Sequence, residues 1–442
     1  MRCFALLVCL AFASPAGAQL GLPPVRVPPL PAVPLSSTPA ALPASGAVDA
    51  SVGELDPGRL RELHALRVRE LLRRHRDVLE TDPHGAPIVR GEVLALAPSP
   101  QALQAATAAG FSLRRELTLS ALELRIAVLH VPASTARALQ RLQQQDPSGA
   151  YDFNHLYLEA GTVSATSPAH RIAPPAEGPG DSPGEGIRIG MIDSGVDETH
   201  EVFRGITLAR HGCTEPVPAA HGTAVASLLS GRAAAFQGAA PGAALYAADV
   251  FCGKPTGGSV ETIAESLAWL VQQRIAVINI SLVGPRNELL ERIVREAIAR
   301  GTLLVAAVGN DGPAAPPLYP AAWPGVIGVT GVDARGRVLA EAARGTQVKF
   351  AAPGADLVAA RMRGGYLRVR GTSFAAPIVA GLLAGALPSA ASPDSRAASG
   401  AVAALARSAQ HSAAAGADPA YGYGIVGTEL RLQTMLGNGP IK

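Results

Sequence analysis

Four residues of different chemistry stand where a chain usually turns or starts a helix. They are a carboxylate in Asp193-Ser194-Gly195, an imidazole in His221-Gly222-Thr223, an amide in Gly309-Asn310-Asp311-Gly312 and a hydroxyl in Gly371-Thr372-Ser373. Each alone has an ordinary reading. Asp and Asn-Asp-Gly form turns, a lone His at a helix start is usually not catalytic, and a Ser ahead of an apolar segment is an N-cap. Together they supply what acyl transfer needs. A hydroxyl is a poor nucleophile until a base takes its proton, and imidazole titrates near neutrality. A carboxylate fixes the imidazole tautomer and stabilises the imidazolium, and an amide N–H donates to the oxyanion.

That set works only if the fold gathers it. Ile187 to Ile192, Ala244 to Val250, Ala276 to Ile280, Leu303 to Val308 and Val326 to Val332 are apolar along nearly all of their length and read as strands. Between them Thr223 to Leu229, Val260 to Gln273 and Asn287 to Arg300 read as helices. Apolar strands alternating with helices predict an α/β fold, a mainly parallel sheet with helices on both faces. In such a sheet functional residues collect past the carboxyl ends of the strands, where Asp193 and Asn310 fall. Ser373 opens an Ala-rich segment that reads as a buried helix.

The rest of the 442 residues divides by composition. Residues 1–18 read as a secretory signal: Arg2, an apolar run from Phe4 to Phe12 too short to span a bilayer, and Ala16-Gly17-Ala18 for cleavage. Residues 19–55 form a Pro-rich linker. Residues 56–84 form a basic amphipathic helix, with Asp56-Pro57 at its start and seven arginines from Arg59 to Glu80. Such a helix can touch an anionic membrane or a partner, though a solvated face is the commoner outcome. Residues 85–158 run strand, helix, strand, helix, strand, a small α+β unit in which His130 and His155 read as structural. Residues 159–186 form a second Pro-rich linker, and 187–435 the main domain.

Composition narrows the classes further. The chain is 48% hydrophobic and 17% charged, as a globular protein is. A net charge of +3 does not argue for nucleic acid. The longest apolar run, from Phe374, is broken by Pro377 and Gly381, so it is not a membrane span. With the signal removed, Cys213 and Cys252 remain, and in an oxidising compartment two such cysteines are expected to pair.

The Asp193, His221, Asn310 and Ser373 blocks, in that order, resemble the signature blocks of subtilisin-like serine proteases. Gly371-Thr372-Ser373-Phe374-Ala375-Ala376-Pro377 is the most specific of them. Ala240-Pro241-Gly242, Val277-Ile278-Asn279-Ile280-Ser281, Tyr319-Pro320-Ala321, Ala352-Pro353-Gly354 and Gly422-Tyr423-Gly424 agree with it. The resemblance implies Ser373 as nucleophile, His221 as general base and then acid, Asp193 as its orienter, and Asn310 with the Ser373 N–H as the oxyanion hole. His200 and His211 lack the Gly-Thr block and read as surface residues. Gly257, Gly258, Ser281, Leu282 and Gly284 would hold a peptide as an added strand. Leu318 would lie at the floor of an apolar, shallow primary pocket, and the extra Val283 alters its wall.

By the same resemblance, the 85–158 unit is similar to the inhibitory propeptides of the family, with cleavage expected between Tyr157 and Pro183. The expectation is an exported serine endopeptidase, periplasmic or extracellular. It would act on proteins or peptides, be partnered by its own propeptide, and be made as a self-processed zymogen without a required cofactor. Family members often bind calcium, but no acidic loop commits a site here. The rival readings are an inactive or self-processing binding module of the same fold, and an adaptor tethered through Arg59 to Glu80.

Overall fold

The structure is a computed structural model that describes residues 57–131, 134–163, 186–234, 236–388, 391–410 and 418–430. The signal segment, the first Pro-rich linker and most of the second lie outside the described residues.

The described chain begins with α1 (Pro57–Arg74). The helix stops at Arg74, short of the expected Glu80, with Arg73 and Arg74 paired to Glu70 at 2.7 and 2.6 Å. Glu80 lies instead in β1 (Leu79–Thr81), which opens the small α+β unit. There follow β2 (Pro87–Leu96), α2 (Pro100–Ala108), β3 (Ser112–Leu119), β4 (Leu124–His130), α3 (Thr135–Gln145) and β5 (Ala150–His155). The sheet is antiparallel, ordered β1-β2-β4-β3 with β5 on the other side of β2. The sequence reading has no counterpart of β3. That edge strand is exposed along most of its length, so it carries no apolar alternation to betray it.

Two short strands continue from this unit, β6 (Leu158–Glu159) and β7 (Gly161–Val163). Glu159 of β6 and all of β7 fall within the stretch expected to be linker.

The main domain carries β8 (Arg188–Asp193), β9 (Leu208–His211), α4 (Ala220–Ser230), a hairpin of β10 (Arg232–Ala233) and β11 (Phe236–Gln237), and β12 (Ala244–Asp249). Next come α5 (Val260–Gln272), β13 (Val277–Ile280), β14 (Leu282–Val283), α6 (Glu288–Ala299), β15 (Leu303–Ala307) and β16 (Ile327–Val332). The domain closes with β17 (Val348–Pro353), β18 (Leu357–Ala360), β19 (Tyr366–Gly371), α7 (Thr372–Gly385) and α8 (Ser395–Ser408).

Seven strands form one sheet in the order β17-β16-β15-β13-β8-β12-β9, every adjacent pair parallel. The period of two along each strand sorts side chains between the faces. Leu303, Val305 and Ala307 of β15 pack in the cluster containing α4, α7 and α8. Leu304 and Ala306 pack in the cluster containing α5 and α6. With both faces covered, the strands are apolar along most of their length.

The second cluster also takes in Leu94, Leu96, Leu119, Leu122, Ile126 and Val128. The α+β unit therefore lays the apolar face of its sheet on α5 and α6. Polar contacts fix the register of that docking. Arg115 binds Glu261 at 2.7 and 2.6 Å. The Glu288 N–H donates to Asp152 at 2.7 Å, and the Glu261 N–H to Asn154 Oδ1 at 3.2 Å. Both acceptors meet helix N-termini, where N–H groups lack intrahelical partners. His155 is buried in the same seam, with Nε2 3.3 Å from Asp82 and Nδ1 3.0 Å from Asn287.

Candidate active site

Asp193 is the last residue of β8 and is fully buried. Its Oδ1 accepts from the Ser194 N–H at 2.7 Å and lies 2.8 Å from His221 Nδ1. His221 is the second residue of α4 and is also buried. The next residue must be glycine, because a Cβ on Gly222 would stand 2.0 Å from the Ser194 carbonyl oxygen. That close approach seats the imidazole against the carboxylate. Burial opposes a charge on His221, but the Asp193 carboxylate, and then Glu159, outweigh it and push the pKa up to about 9.

Ser373 is the second residue of α7, and Gly371 is the N-cap. The hydroxyl is therefore not a cap but projects from the first turn, where N–H groups are free. Pro377 has no N–H to give to the carbonyl four residues back, which is that of Ser373. Ser281 fills the gap: its Oγ donates to the Ser373 carbonyl at 2.9 Å and accepts from Asn279 Nδ2 at 2.9 Å. The Ser373 hydroxyl itself donates to the Ser281 carbonyl at 3.2 Å. His221 Nε2 has no partner among the described residues. A hydrogen bond between Ser373 and His221 is thus not made in this arrangement.

Asn310 follows β15. Its Oδ1 accepts from the Thr372 N–H at 3.1 Å, which leaves Nδ2 turned into the cleft. There Nδ2 donates to the carbonyl of Ala160.

That carbonyl belongs to a segment running through the whole cleft. The Tyr157 N–H donates to the Gly258 carbonyl at 2.7 Å, and Leu156 bridges Ser259. Leu158 and Glu159 pair antiparallel with Val283 and Leu282. The Ala160 N–H donates to the Ser281 carbonyl at 3.2 Å. Past Ala160 the chain pairs with β19, Gly161 opposite Gly371 and Val163 opposite Val369. A Cβ placed on Gly161 would stand 3.0 Å from Ser373 Cβ and 3.2 Å from Ser373 Oγ. The segment lies as an added strand on both walls, with one carbonyl at an amide donor beside a serine.

The residues singled out in the sequence fall as follows. Gly258, Ser281 and Leu282 contact the segment through their backbones, while Gly284 packs on the Tyr157 ring and would not admit a Cβ. Gly257 precedes Gly258, and a Cβ there would meet Phe251. Leu318 packs over Gly309 with Val283 beyond it, in the apolar cluster that contains Ala160. Cys213 and Cys252 are bridged. The bridge ties the loop after β9 to the loop after β12, which continues into Gly257 and Gly258.

His200 is not a surface residue. It is 3% exposed, with Nε2 2.8 Å from the Gly365 carbonyl, so it packs the loop after β8 against the turn before β19. His211 is half-buried and stacks on Trp269 at 4.8 Å.

Sequence reasoning missed the occupants of the cleft. Tyr157, Glu159, Ala160 and Gly161 carry no motif, and only the small Ala-Gly pair after a strand could have hinted at them. It foresaw a helix at α1 but not that α1 reaches the cleft, where His64 Nδ1 lies 3.1 Å from Asp311, next to Asn310. Leu60, Leu63, His64 and Arg67 wall a cavity of about 120 Å³ over Ala160 and Gly161.

Two groups of described residues place three candidate metal-ligand side chains close together. In one the sulfurs of Cys213 and Cys252 are consumed in the bridge, and the other is Glu159 with Asp193 and His221. Among the described residues no helix is long and apolar enough to cross a membrane.

Comparison with known proteins places these features in context. The family model described as "Subtilase family" matches residues 184–424. Subtilisin E of Bacillus subtilis (strain 168) is 31% identical over 260 residues, 56% of this chain and 67% of that protein. The minor extracellular protease Epr of the same strain is 29% identical over 206 residues, 46% of this chain but only 32% of its own length. Among solved structures, fervidolysin from Fervidobacterium pennivorans, described as a keratinolytic enzyme related to subtilisin, superposes with a TM-score of 0.62 at 21% identity. That superposition covers 80% of this chain and 62% of fervidolysin, and it speaks for the fold alone.

Proposed function

The chain belongs to the subtilase family, and from that premise we propose that it is an exported serine endopeptidase, made as a zymogen, whose first substrate is its own Ala160–Gly161 bond. One observation carries the reading. The Ala160 carbonyl accepts a hydrogen bond from Asn310 while Gly161 lies against Ser373.

The chemistry follows from those positions. The Ser373 hydroxyl turns from the Ser281 carbonyl to His221 Nε2, which takes its proton as Oγ adds to the Ala160 carbonyl carbon. Asp193 stabilises the imidazolium, and Asn310 Nδ2 with the Ser373 N–H holds the oxyanion. Collapse breaks the C–N bond, and His221 gives its proton to the Gly161 nitrogen. Ala160 remains as an ester on Ser373 until a water, deprotonated by His221, releases it. The 57–160 region then becomes a separate piece that still covers the cleft.

Several features support an extracellular setting: the expected signal in residues 1–18, the bridge between Cys213 and Cys252, and the relative named as an extracellular protease. Packing of Leu318 and Val283 beside Gly309 supports a preference for small side chains just before the cleaved bond.

N-terminal sequencing of the protein as secreted tests the reading, wild type beside Ser373→Ala. Wild type should begin at Gly161, and Ser373→Ala should keep the N-terminal unit. Identical processing in both would refute self-cleavage. The rival is an inactive module of the same fold, favoured by the hydroxyl of Ser373 donating to Ser281 rather than to His221. A fluorophosphonate probe that labels wild type but not Ser373→Ala, followed by casein hydrolysis, excludes it.

A further inference from the structure

One polar contact in the cleft has no part in the catalytic scheme. Ser194, next to Asp193, is 4% exposed. Its Oγ accepts from the Gly222 N–H at 3.0 Å, so the hydroxyl proton is left to donate. Two carboxylates compete for it: Glu159 Oε1 at 2.8 Å and Asp193 Oδ1 at 3.2 Å. The nearer acceptor is the side chain of the residue just before Ala160.

The geometry of Glu159 is set by its strand. Pairing with Leu282 holds its backbone, and alternation along an extended segment sends its side chain to the opposite side from that of Leu158. There it meets Ser194, with His221 Nδ1 at 3.9 Å. From α1, His64 and Arg67 line the cavity that also borders it. In a processed enzyme that has lost α1, Ser194 and His221 remain as its polar neighbours. A carboxylate here accepts the buried hydroxyl proton and faces the imidazole that becomes charged during catalysis. An amide accepts more weakly, and an ammonium would oppose the imidazolium.

We infer that Ser194 is a specificity-determining residue, whose hydroxyl selects a glutamate side chain at the second position before the scissile bond. The inference rests on the proteolytic reading above and names its substrate class. The best-cleaved peptides carry a small residue at the cut, a glutamate before it, and an aromatic residue two positions further upstream, as Tyr157, Glu159 and Ala160 do. Ser194 selects through this contact and takes no proton from the reaction.

The test uses the processed enzyme as secreted and acetyl-Tyr-Leu-X-Ala p-nitroanilides with X as Glu, Gln, Ala or Lys. The pH is set above the raised His221 value. The expected order in kcat/KM is Glu, then Gln and Ala, then Lys, with Glu over Gln by about tenfold, or about 1.4 kcal/mol. In Ser194→Ala the Glu-to-Gln ratio should fall to within about twofold, whatever happens to the absolute rate. An equal rate for Glu and Gln in wild type, or an undiminished ratio in Ser194→Ala, overturns the inference while leaving the protease reading intact. Cleavage of casein without cleavage of any of these peptides also overturns it. Failure of fluorophosphonate labelling and of all hydrolysis overturns both.

Discussion

Tyr157→Ala tests whether the strand in the cleft is held by its own side chains. The Tyr157 ring is fully buried, packs on Gly284, and sends its hydroxyl to the Pro285 carbonyl at 2.7 Å. A buried tyrosine removes about 150–250 Å² from water, which at about 25 cal/mol/Å² gives about 4–6 kcal/mol as an upper bound. Tyr157 belongs to a cluster containing residues of both the α+β unit and the main domain, so we take about half across the cleft. The remaining ~2–3 kcal/mol corresponds to a loss of ~30–150-fold in occupancy of the cleft by this strand. Release of the N-terminal unit should slow by that factor, read from a time course on gels with the new N-terminus sequenced. Tyr157→Phe keeps the ring and loses one hydrogen bond, so it should slow release only ~2–10-fold, for ~0.5–1.5 kcal/mol. If Tyr157→Ala processes within about twofold of wild type, the anchoring role is wrong.

Other consequences follow from the same geometry. Leu318→Ala removes three carbons beside Gly309 and makes room for a larger residue before the cut. At ~0.8 kcal/mol per buried methylene it should raise kcat/KM for Leu over Ala at that position by ~50-fold, read on paired peptide substrates. His221 must be neutral to act as base, and its pKa is raised to about 9 in the occupied cleft. Self-cleavage should therefore accelerate as pH rises through about 9, and Glu159→Gln should move that midpoint down. An unmoved midpoint would remove Glu159 from the cause. The Cys213–Cys252 bridge spans a separation of 39 residues. Its loss in a Cys213→Ala, Cys252→Ala double variant should lower stability by ~2–4 kcal/mol, measured by denaturant unfolding in the Ser373→Ala background.

The amino-acid sequence by itself determined the chemistry and the framework. Asp193, His221, Asn310 and Ser373 sit in short blocks whose neighbouring residue types carry a signal of their own. Gly222 must clear the Ser194 carbonyl, and the apolar helix behind Ser373 must be buried. Strands such as Leu303–Ala307 announce two covered faces because every residue is apolar. The tertiary structure alone decided what meets those blocks. Asn310 reaches Ala160 across 150 residues of chain, and Ser281 reaches the carbonyl freed by Pro377 across 92. Neither contact leaves a trace in local periodicity, because it depends on where whole elements come to rest. The same reason hid β3 on its exposed edge, buried His200 against the turn before β19, and drew the chain after Tyr157 into the cleft rather than leaving it as linker. A strand that pairs with another part of the fold needs only free N–H and C=O groups, which every residue but proline has. The segment in the cleft is therefore marked by its position in space and not by its residue types.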